Sequence, residues 1–234
     1  MATDGKNKIF LISVGFWLIF GVESYSGLDH VLTINPGGSV TIPCHYNEET
    51  QWQMKFWFSE IFQLRTYTNT TEENLSVIDR PDQSLYTVTM RNIESRQSGF
   101  YYCVLESEGK ENTTYELFLM VKSVPDVSVL SSSVSGHEGS NVSVQCLYSS
   151  KYRDTQKQWC RYKDQKCFLE NKTNTSQSSS VQISDDGENS FTVLMNGLRL
   201  SDSGWYFCSA GNRIIPVQLT VTEAEPEHVN FSTE

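Results

Sequence analysis

Residues 98–103 read SGFYYC, and residues 203–208 read SGWYFC. The two stretches lie 105 positions apart in a chain of 234 residues. Earlier in each copy a cysteine precedes a tryptophan by thirteen positions, in the pairs Cys44 and Trp57, and Cys146 and Trp159. Matching landmarks at a nearly constant separation indicate an internal repeat. The chain is therefore interpreted as two copies of one structural unit.

Both copies show the alternation of apolar and polar residues that is typical of half-buried strands. The pattern is clear over residues 40–44 and again over residues 142–146. Turn signals such as Asp185-Asp186-Gly187 separate the strand-like segments, and no amphipathic helix is evident after residue 25. Many short strands with regular turns predict an all-β sandwich or barrel.

The composition argues against two classes of function. A net charge of −10 disfavours a nucleic-acid-binding protein, since phosphate contacts require clustered lysine and arginine. None of the four histidines lies in a motif that would orient it as a catalytic base, and no glycine-rich phosphate loop is present. We therefore predict a protein that is not an enzyme and that needs no cofactor.

The N-terminus predicts secretion. Lys6 and Lys8 precede an uncharged run over residues 9–22, and small residues suited to cleavage follow it. This order is typical of a secretory signal peptide, which we assign to residues 1–24, with a buried core helix or a signal anchor as the alternatives. No apolar run reaches the roughly 18 residues of a membrane-spanning helix, so we predict no membrane span in this chain.

Seven sequons of the form Asn-x-Ser/Thr predict an extracellular glycoprotein, because glycans of this type are added in the secretory pathway. They begin at Asn69, Asn74, Asn112, Asn141, Asn171, Asn174 and Asn230.

The order of cysteine, tryptophan and Tyr-x-Cys resembles the immunoglobulin fold, in which the tryptophan packs against a disulfide between two sheets. The resemblance implies two tandem variable-type immunoglobulin β-sandwiches, because separations of 59 and 62 residues between the cysteines leave room for additional strands. It assigns the disulfides and core aromatic residues of the two copies as Cys44–Cys103 with Trp57 and Tyr101, and Cys146–Cys208 with Trp159 and Tyr206.

The segment Lys157-Gln158-Trp159-Cys160, followed by Cys167, resembles the polymeric immunoglobulin receptor family and its CMRF-like leukocyte relatives, which are activating or inhibitory receptors. The resemblance implies a local disulfide, Cys160–Cys167, which leaves no free thiol. The first copy has Phe58 in place of Cys160. Half of a zinc site is the alternative for this cysteine pair, but a disulfide is favoured in a secreted chain, and we predict no metal site.

The same resemblance implies a function in recognition. The chain would be the extracellular part of an immune-type receptor, or its soluble form, and would bind a protein such as polymeric immunoglobulin or anionic lipid head groups. Two alternatives remain: a homophilic adhesion module, and a secreted decoy for a full-length sibling receptor. The expected location is the secretory pathway, followed by the cell surface for a truncated receptor or the extracellular space for a complete chain.

Candidate binding residues come from loops and charge. In the first copy, the loops expected at one end of the sandwich are residues 46–51, a segment between strands C′ and C″ near residues 61–67, and residues 105–115. In the second copy, the tip over residues 209–216 carries Arg213, Ile214 and Ile215, which we expect to form a small exposed patch. The same copy clusters basic residues that could attract an anionic partner or form a solvated sheet face, namely Lys151, Arg153, Lys157, Arg161, Lys163 and Lys166.

The predicted organisation has five parts. A signal peptide (1–24) is followed by a first variable-type domain (25–122), a linker (123–127), a second variable-type domain (128–222) and an acidic stalk or tail (223–234).

Overall fold

The computed structural model describes residues 30–47, 54–169 and 180–224. These residues form two β-sandwiches, one from each copy of the repeat, so the predicted all-β fold is confirmed. The proposed signal peptide, the tail after residue 224 and the sequons at Asn171, Asn174 and Asn230 lie outside the described residues.

Domain 1 is the first sandwich. Its front sheet has the order β4-β3-β8-β9-β1, and its back sheet has the order β2-β7-β6-β5. Strands β4 and β5 supply the additional C′ and C″ positions that distinguish variable-type domains. The strands are β1 (Val31–Ile34), β2 (Val40–His45), β3 (Met54–Ser59), β4 (Leu64–Tyr67), β5 (Thr70–Thr71), β6 (Leu75–Arg80), β7 (Leu85–Met90), β8 (Gly99–Ser107) and β9 (Lys110–Val121).

Domain 2 repeats this arrangement. Its front sheet contains β14, β13, β17, β18 and β11, and its back sheet has the order β10-β12-β16-β15. The strands are β10 (Val127–Val129), β11 (Ser133–His137), β12 (Val142–Tyr148), β13 (Lys157–Arg161), β14 (Cys167–Leu169), β15 (Val181–Asp185), β16 (Ser190–Met195), β17 (Gly204–Ala210) and β18 (Arg213–Thr222). Short 3-10 turns occupy Pro81–Gln83, Ser95–Gln97, Ser150–Tyr152 and Leu200–Asp202.

Each core is built around a disulfide and a stacked pair of aromatic rings. Trp57 and Trp159 are almost completely buried. Their rings stack on Tyr101 at 5.2 Å and on Tyr206 at 4.9 Å, centroid to centroid. Each tyrosine hydroxyl donates a hydrogen bond to the carbonyl oxygen four residues earlier, as in a tyrosine corner. The disulfides are Cys44–Cys103, Cys146–Cys208 and Cys160–Cys167, and all six cysteines are paired.

A polar network accompanies the core in both domains, and we call it the Tyr–Asp–Lys network. In domain 1, Asp79 accepts hydrogen bonds from Tyr46 Oη at 3.1 Å and Lys55 Nζ at 2.8 Å. In domain 2, Asp185 accepts one from Tyr148 Oη at 2.6 Å and is paired with Lys157 Nζ at 3.0 Å. In each domain the lysine also lies over the tyrosine ring. The repeat therefore extends to a charge pair, which is partly buried in domain 1 and buried in domain 2.

The two domains share one sheet. Strand β1 pairs in parallel with β9 of domain 1 and also with the start of β18 of domain 2. Asp126, in the predicted linker, is buried at this junction, and its backbone N–H donates to Thr33 Oγ1 at 2.7 Å. Its carboxylate accepts hydrogen bonds from Lys122, Arg213 and Tyr152.

Candidate protein-recognition site

The front sheet of domain 1 carries an apolar surface, which we call the domain 1 face. It comprises the exposed residues of β3, β4 and the turn between them, together with half-buried rings on β3, β8 and β9. Five of the nine exposed large apolar residues in the described chain lie on β3, on β4 or in the turn between them, namely Met54, Ile61, Phe62, Leu64 and Tyr67. A concentration of apolar side chains in one region of a surface is typical of an interaction site.

The rings of the domain 1 face form a continuous layer, because alternate residues of neighbouring strands point to the same side of a sheet. Phe58 lies opposite Tyr102, and Phe100 lies opposite Phe118. The ring centroids are 6.1 Å apart in the first pair and 5.0 Å apart in the second. Aromatic layers of this kind supply much of the contact energy in protein interfaces.

The turn between β3 and β4 packs closely against a glycine at the start of β8. Gly99 has φ +152°, and a Cβ atom built there would lie 2.4 Å from the Ile61 side chain. The equivalent Gly204 of domain 2 has no such neighbour within 4 Å. The Ser-Gly sequence therefore positions an exposed apolar turn in domain 1 alone.

Charged groups surround the apolar layer. Tyr102 Oη donates a hydrogen bond to Glu60 at 2.7 Å, and burial together with this bond raises the pKa of the tyrosine. Arg65 is paired with Glu111 at 2.7 Å and lies over the Phe56 ring. An apolar centre with a polar rim is the usual anatomy of a protein interface.

In domain 2, the corresponding face of the front sheet is covered by domain 1. Tyr162 contacts Tyr115 edge to face at 5.7 Å, and Phe207 contacts His30 at 5.1 Å. Buried apolar residues from this part of domain 2 belong to one cluster with the core of domain 1, namely Cys160, Tyr162, Trp205, Phe207 and Ile214. Of the two front sheets, the one in domain 1 is open to a partner.

The expectation of an exposed patch at Arg213, Ile214 and Ile215 is wrong. Ile214 is 1% exposed, and Ile215 packs against the domain 2 core. Arg213 Nε lies 3.1 Å from the Asp126 carboxylate. The hairpin tip is covered because β18 begins beside β1 of domain 1, so these residues join the domains.

The basic residues of domain 2 do not form one patch. Lys157 is buried and paired with Asp185. Arg161 is paired with Asp164, and its hydrogen bond lowers the pKa of that carboxyl to about 2. Lys151 and Arg153 precede β13, whereas Arg161 is its last residue, and the strand itself is about 13 Å long at about 3.3 Å per residue.

The loops of domain 1 differ in part from expectation, whereas the sequons that can be placed in the two domains are exposed. Residues 61–67 form the turn between β3 and β4 and then β4 itself, rather than a segment between strands C′ and C″. Residues 105–115 form a β-hairpin with its turn after Ser107. The four sequon asparagines in the described residues are all exposed, at Asn69, Asn74, Asn112 and Asn141.

Comparisons with known proteins identify the class. The Immunoglobulin V-set domain family matches residues 28–121 and 129–224. The chain therefore belongs to the immunoglobulin V-set domain family, and the prediction of two tandem variable-type domains is confirmed.

The relatives agree with the predicted resemblance. The polymeric immunoglobulin receptor of Rattus norvegicus is 27% identical over 185 residues, which cover 74% of this chain and 24% of that protein. CMRF35-like molecule 1 of Rattus norvegicus is 41% identical over 81 residues, which cover 32% of this chain and 24% of that protein. The chain thus spans about a quarter of the length of these curated relatives.

Among solved structures, the ectodomain of a teleost fish polymeric Ig receptor is 33% identical, with a TM-score of 0.42, and the match covers 84% of this chain and 98% of that one. The resemblance to polymeric immunoglobulin receptors and CMRF-like proteins is confirmed. The chain consists of V-set domains similar to those of immune-type receptor ectodomains, and these relatives form a family that is not enzymatic.

Two features are absent from the described residues. Over residues 30–47, 54–169 and 180–224, no helix has the length and apolar character needed to cross a membrane. Within the same residues, no group of three or more histidine, cysteine, aspartate or glutamate side chains could hold a metal ion.

Proposed function

We propose that this chain recognises polymeric immunoglobulin through the domain 1 face. The observation that carries the proposal is the exposed apolar surface on the front sheet of domain 1, whose domain 2 counterpart is covered. The polymeric immunoglobulin receptors that the chain resembles supply the choice of ligand. Paired cysteines and exposed sequon asparagines support a place outside the cell or on its surface.

The geometry favours a ligand built from β-sandwich domains. In domain 2, the same side of the fold already packs against a β-sandwich, namely domain 1 of this chain. The domain 1 face offers a similar combination of aromatic rings on a twisted sheet. Immunoglobulins consist of such sandwich domains, so the proposed partner presents a surface of the kind that this fold already accommodates.

The test is binding of the secreted chain to immobilised polymeric immunoglobulin, with anionic liposomes as the comparison ligand. Phe62→Asp places a charge in the exposed apolar turn, and Tyr67→Asp places one on β4. The matched control is Leu169→Asp, because Leu169 occupies on β14 the position that Tyr67 occupies on β4. We expect both domain 1 variants to weaken binding at least about tenfold, as for the loss of hot-spot contacts, and the control to bind normally.

Three results would contradict this proposal. They are normal binding by both domain 1 variants, equal loss in the Leu169→Asp control, and binding to liposomes without binding to immunoglobulin. Homophilic adhesion is the second candidate, because an exposed apolar face can also pair with its own copy. A concentration-dependent dimer that Phe62→Asp dissociates would favour adhesion.

A further inference from the structure

The disulfide Cys160–Cys167 differs from the other two disulfides in its exposure. The four cysteines that join the two sheets of each domain are completely buried. Cys160 is also buried, whereas Cys167 is exposed. A disulfide is broken when a thiolate attacks one of its sulfur atoms, so access to that sulfur determines which disulfide reacts. Of the three disulfides in the described residues, Cys160–Cys167 is therefore the one that a reductant can approach without unfolding the chain.

Cys167 lies at an edge of the front sheet of domain 2. It is the first residue of β14, which is the last strand on this side of the sheet and pairs with β13. Cys160 and Cys167 are directly opposite each other in this pairing, so the S–S bond runs across the two strands. An attacking thiolate approaches in line with the bond that breaks. Its path to Cys167 therefore comes from beyond β14, where the described residues place no further strand.

The charges around this disulfide favour an attacking thiolate. Lys163 and Lys166 lie between the two cysteines in the sequence, and both are exposed. Together with Arg161, they give residues 161–166 three positive charges against the single negative charge of Asp164. Positive charge stabilises a thiolate and attracts anionic groups from solution. The exposed end of the disulfide therefore lies in a region that suits thiol–disulfide exchange.

The turn that the disulfide closes faces domain 1. The Tyr162 ring lies edge to face on Tyr115 of domain 1, with the ring centroids 5.7 Å apart. Lys163 is near enough to His45 of domain 1 that its charge, after burial, lowers the pKa of the imidazole. A groove separates the domains at this point, and Gln165 lines it beside Tyr162 and Lys163. The turn is therefore the domain 2 side of a contact between the domains.

Opening the disulfide would act on this contact at both ends of the turn. Gln165 has φ +54°, a left-handed conformation that residues other than glycine seldom adopt. Cys160 is buried in the apolar cluster that includes the domain 1 core, and its strand partner Phe207 contacts His30 at 5.1 Å. We propose that Cys160–Cys167 is a site of reversible thiol–disulfide exchange with an extracellular dithiol reductant, and that its reduction loosens the contact between the domains.

The exchange is a two-electron reduction in two steps. A thiolate of the reductant bonds to Cys167 Sγ, the Sγ–Sγ bond breaks, and its electron pair goes to Cys160 Sγ, which takes up a proton from water. The second thiol of the reductant then displaces Cys167 and passes its proton to that sulfur, so the reductant becomes a disulfide and the chain carries two thiols. The reverse reaction is favoured by the short loop, because the two cysteines are seven positions apart.

The experiment starts from the folded, secreted chain with all three disulfides formed. Thioredoxin, kept reduced by its reductase and NADPH, serves as the dithiol probe, and no denaturant is added. New thiols are blocked with N-ethylmaleimide, the remaining disulfides are then reduced in denaturant and blocked with iodoacetamide, and mass spectrometry assigns each label. We expect Cys160 and Cys167 to react at least about tenfold faster than the other four cysteines. Equal rates at all six, or no reduction of this pair while the chain stays folded, would overturn the proposal.

A second measurement tests the effect on the domain contact. After reduction, hydrogen exchange should rise about tenfold in peptides that contain Tyr162 or Tyr115, and should stay unchanged over residues 75–90 on the back sheet of domain 1. The matched control replaces both Cys160 and Cys167 with alanine, and its exchange should be fast with or without thioredoxin. Unchanged exchange at Tyr115 in the reduced chain, or a response of the control to thioredoxin, would overturn the proposed effect. Neither measurement involves immunoglobulin, so the results are independent of the proposed function.

Discussion

The two domains share a fold but use equivalent positions differently. Their Tyr–Asp–Lys networks match residue for residue, yet Lys157 and Asp185 are 1% and 9% exposed, whereas Lys55 and Asp79 are 17% and 20% exposed. Lys157 Nζ also donates to the carbonyl oxygens of Arg153 and Thr155, both at 2.8 Å. The domain 2 network is thus a fully bonded internal support for the loop before β13.

The front faces differ in the same direction, with domain 1 again the more exposed. Domain 2 places a disulfide and aromatic rings under domain 1, whereas domain 1 leaves its aromatic layer open. One domain has become the fixed support and the other the exposed part of a two-domain unit. In this repeated fold, the contacts between the two copies are what give one domain a supporting role and leave the other exposed.

The largest expected effect is in the domain 2 network. Lys157→Ala leaves the Asp185 carboxylate buried without its cation, and we expect it to lower the free energy of unfolding by about 3–5 kcal/mol. Lys55→Ala should lower it by about 1–2 kcal/mol, because that network is partly hydrated. Urea unfolding measures both values. Equal losses would remove the proposed difference between the domains.

The junction should show the next largest effect. Asp126→Ala leaves Arg213 without its carboxylate partner, with an expected loss of about 2–4 kcal/mol. Because Asp126 also binds Lys122 and Tyr152, the two domains should then unfold separately. Calorimetry should show one transition in the unaltered chain and two in the variant, while Asp82→Ala, at an exposed turn, should keep one. A single transition in Asp126→Ala would contradict a coupled junction.

The local disulfide should contribute less. Replacing both Cys160 and Cys167 with alanine opens a loop of eight residues, which should lower the free energy of unfolding by about 2 kcal/mol in the chain-entropy model. The fold should persist, because domain 1 forms the same strand with Phe58 in place of the first cysteine. Peptide mapping of the unaltered chain should find the two cysteines linked, and a free thiol at either would contradict the assignment.

The effect that is smallest at neutral pH is a pH dependence from His45. Its folded pKa of about 4 lies below the ordinary value of 6.5, so the unfolded chain binds a proton first as the pH falls. Stability should therefore decrease between pH 6.5 and 4, by about 2–3 kcal/mol from this residue. His45→Gln should show a smaller decrease over the same range in urea unfolding. An unchanged slope would contradict the burial of a neutral imidazole.

Below pH 4, protonation of the Asp126 and Asp185 carboxylates should determine the further loss of stability. Burial alone would raise the pKa of Asp126 and Asp185, but their hydrogen bonds outweigh it and leave both pKa values below the ordinary one. The stability that they contribute is present above their unfolded pKa, near 3.9, and is lost as the pH falls through the lower folded value. The acid loss of stability should therefore continue after His45 has titrated.

Local sequence patterns predicted the strands and the core of each sandwich, because those features arise within one copy of the repeat. The alternation of residues, the spacing of cysteine and tryptophan, and Tyr-x-Cys all act within one sandwich, so they placed the core aromatic residues there. The offset of 105 residues pairs Ile78 with Ile183 in the sequence, but the strand pairing makes Val77 the counterpart of Ile183, because Val77 lies opposite Val88 and Ile183 opposite the equivalent Val193. A one-residue shift in the turn hid the equivalence of Asp79 and Asp185.

Such local patterns could not predict the contacts between the two copies. Arg213 and Ile214 follow a turn and were expected at an exposed tip, yet they pair with β1, some 180 residues earlier in the chain. The apolar domain 1 face was missed for a related reason, since its rings come from three strands and appear together only after folding. The exposed Ile61 and Phe62 side by side in a turn were the available signal.

The most direct test of the open domain 1 face is hydrogen exchange of the whole chain with and without polymeric immunoglobulin. We expect the ligand to protect peptides that cover residues 56–67 and 99–104, and to leave those covering residues 157–169 unchanged. Protection confined to residues 157–169, or none in domain 1 under conditions where the two proteins bind, would contradict the account.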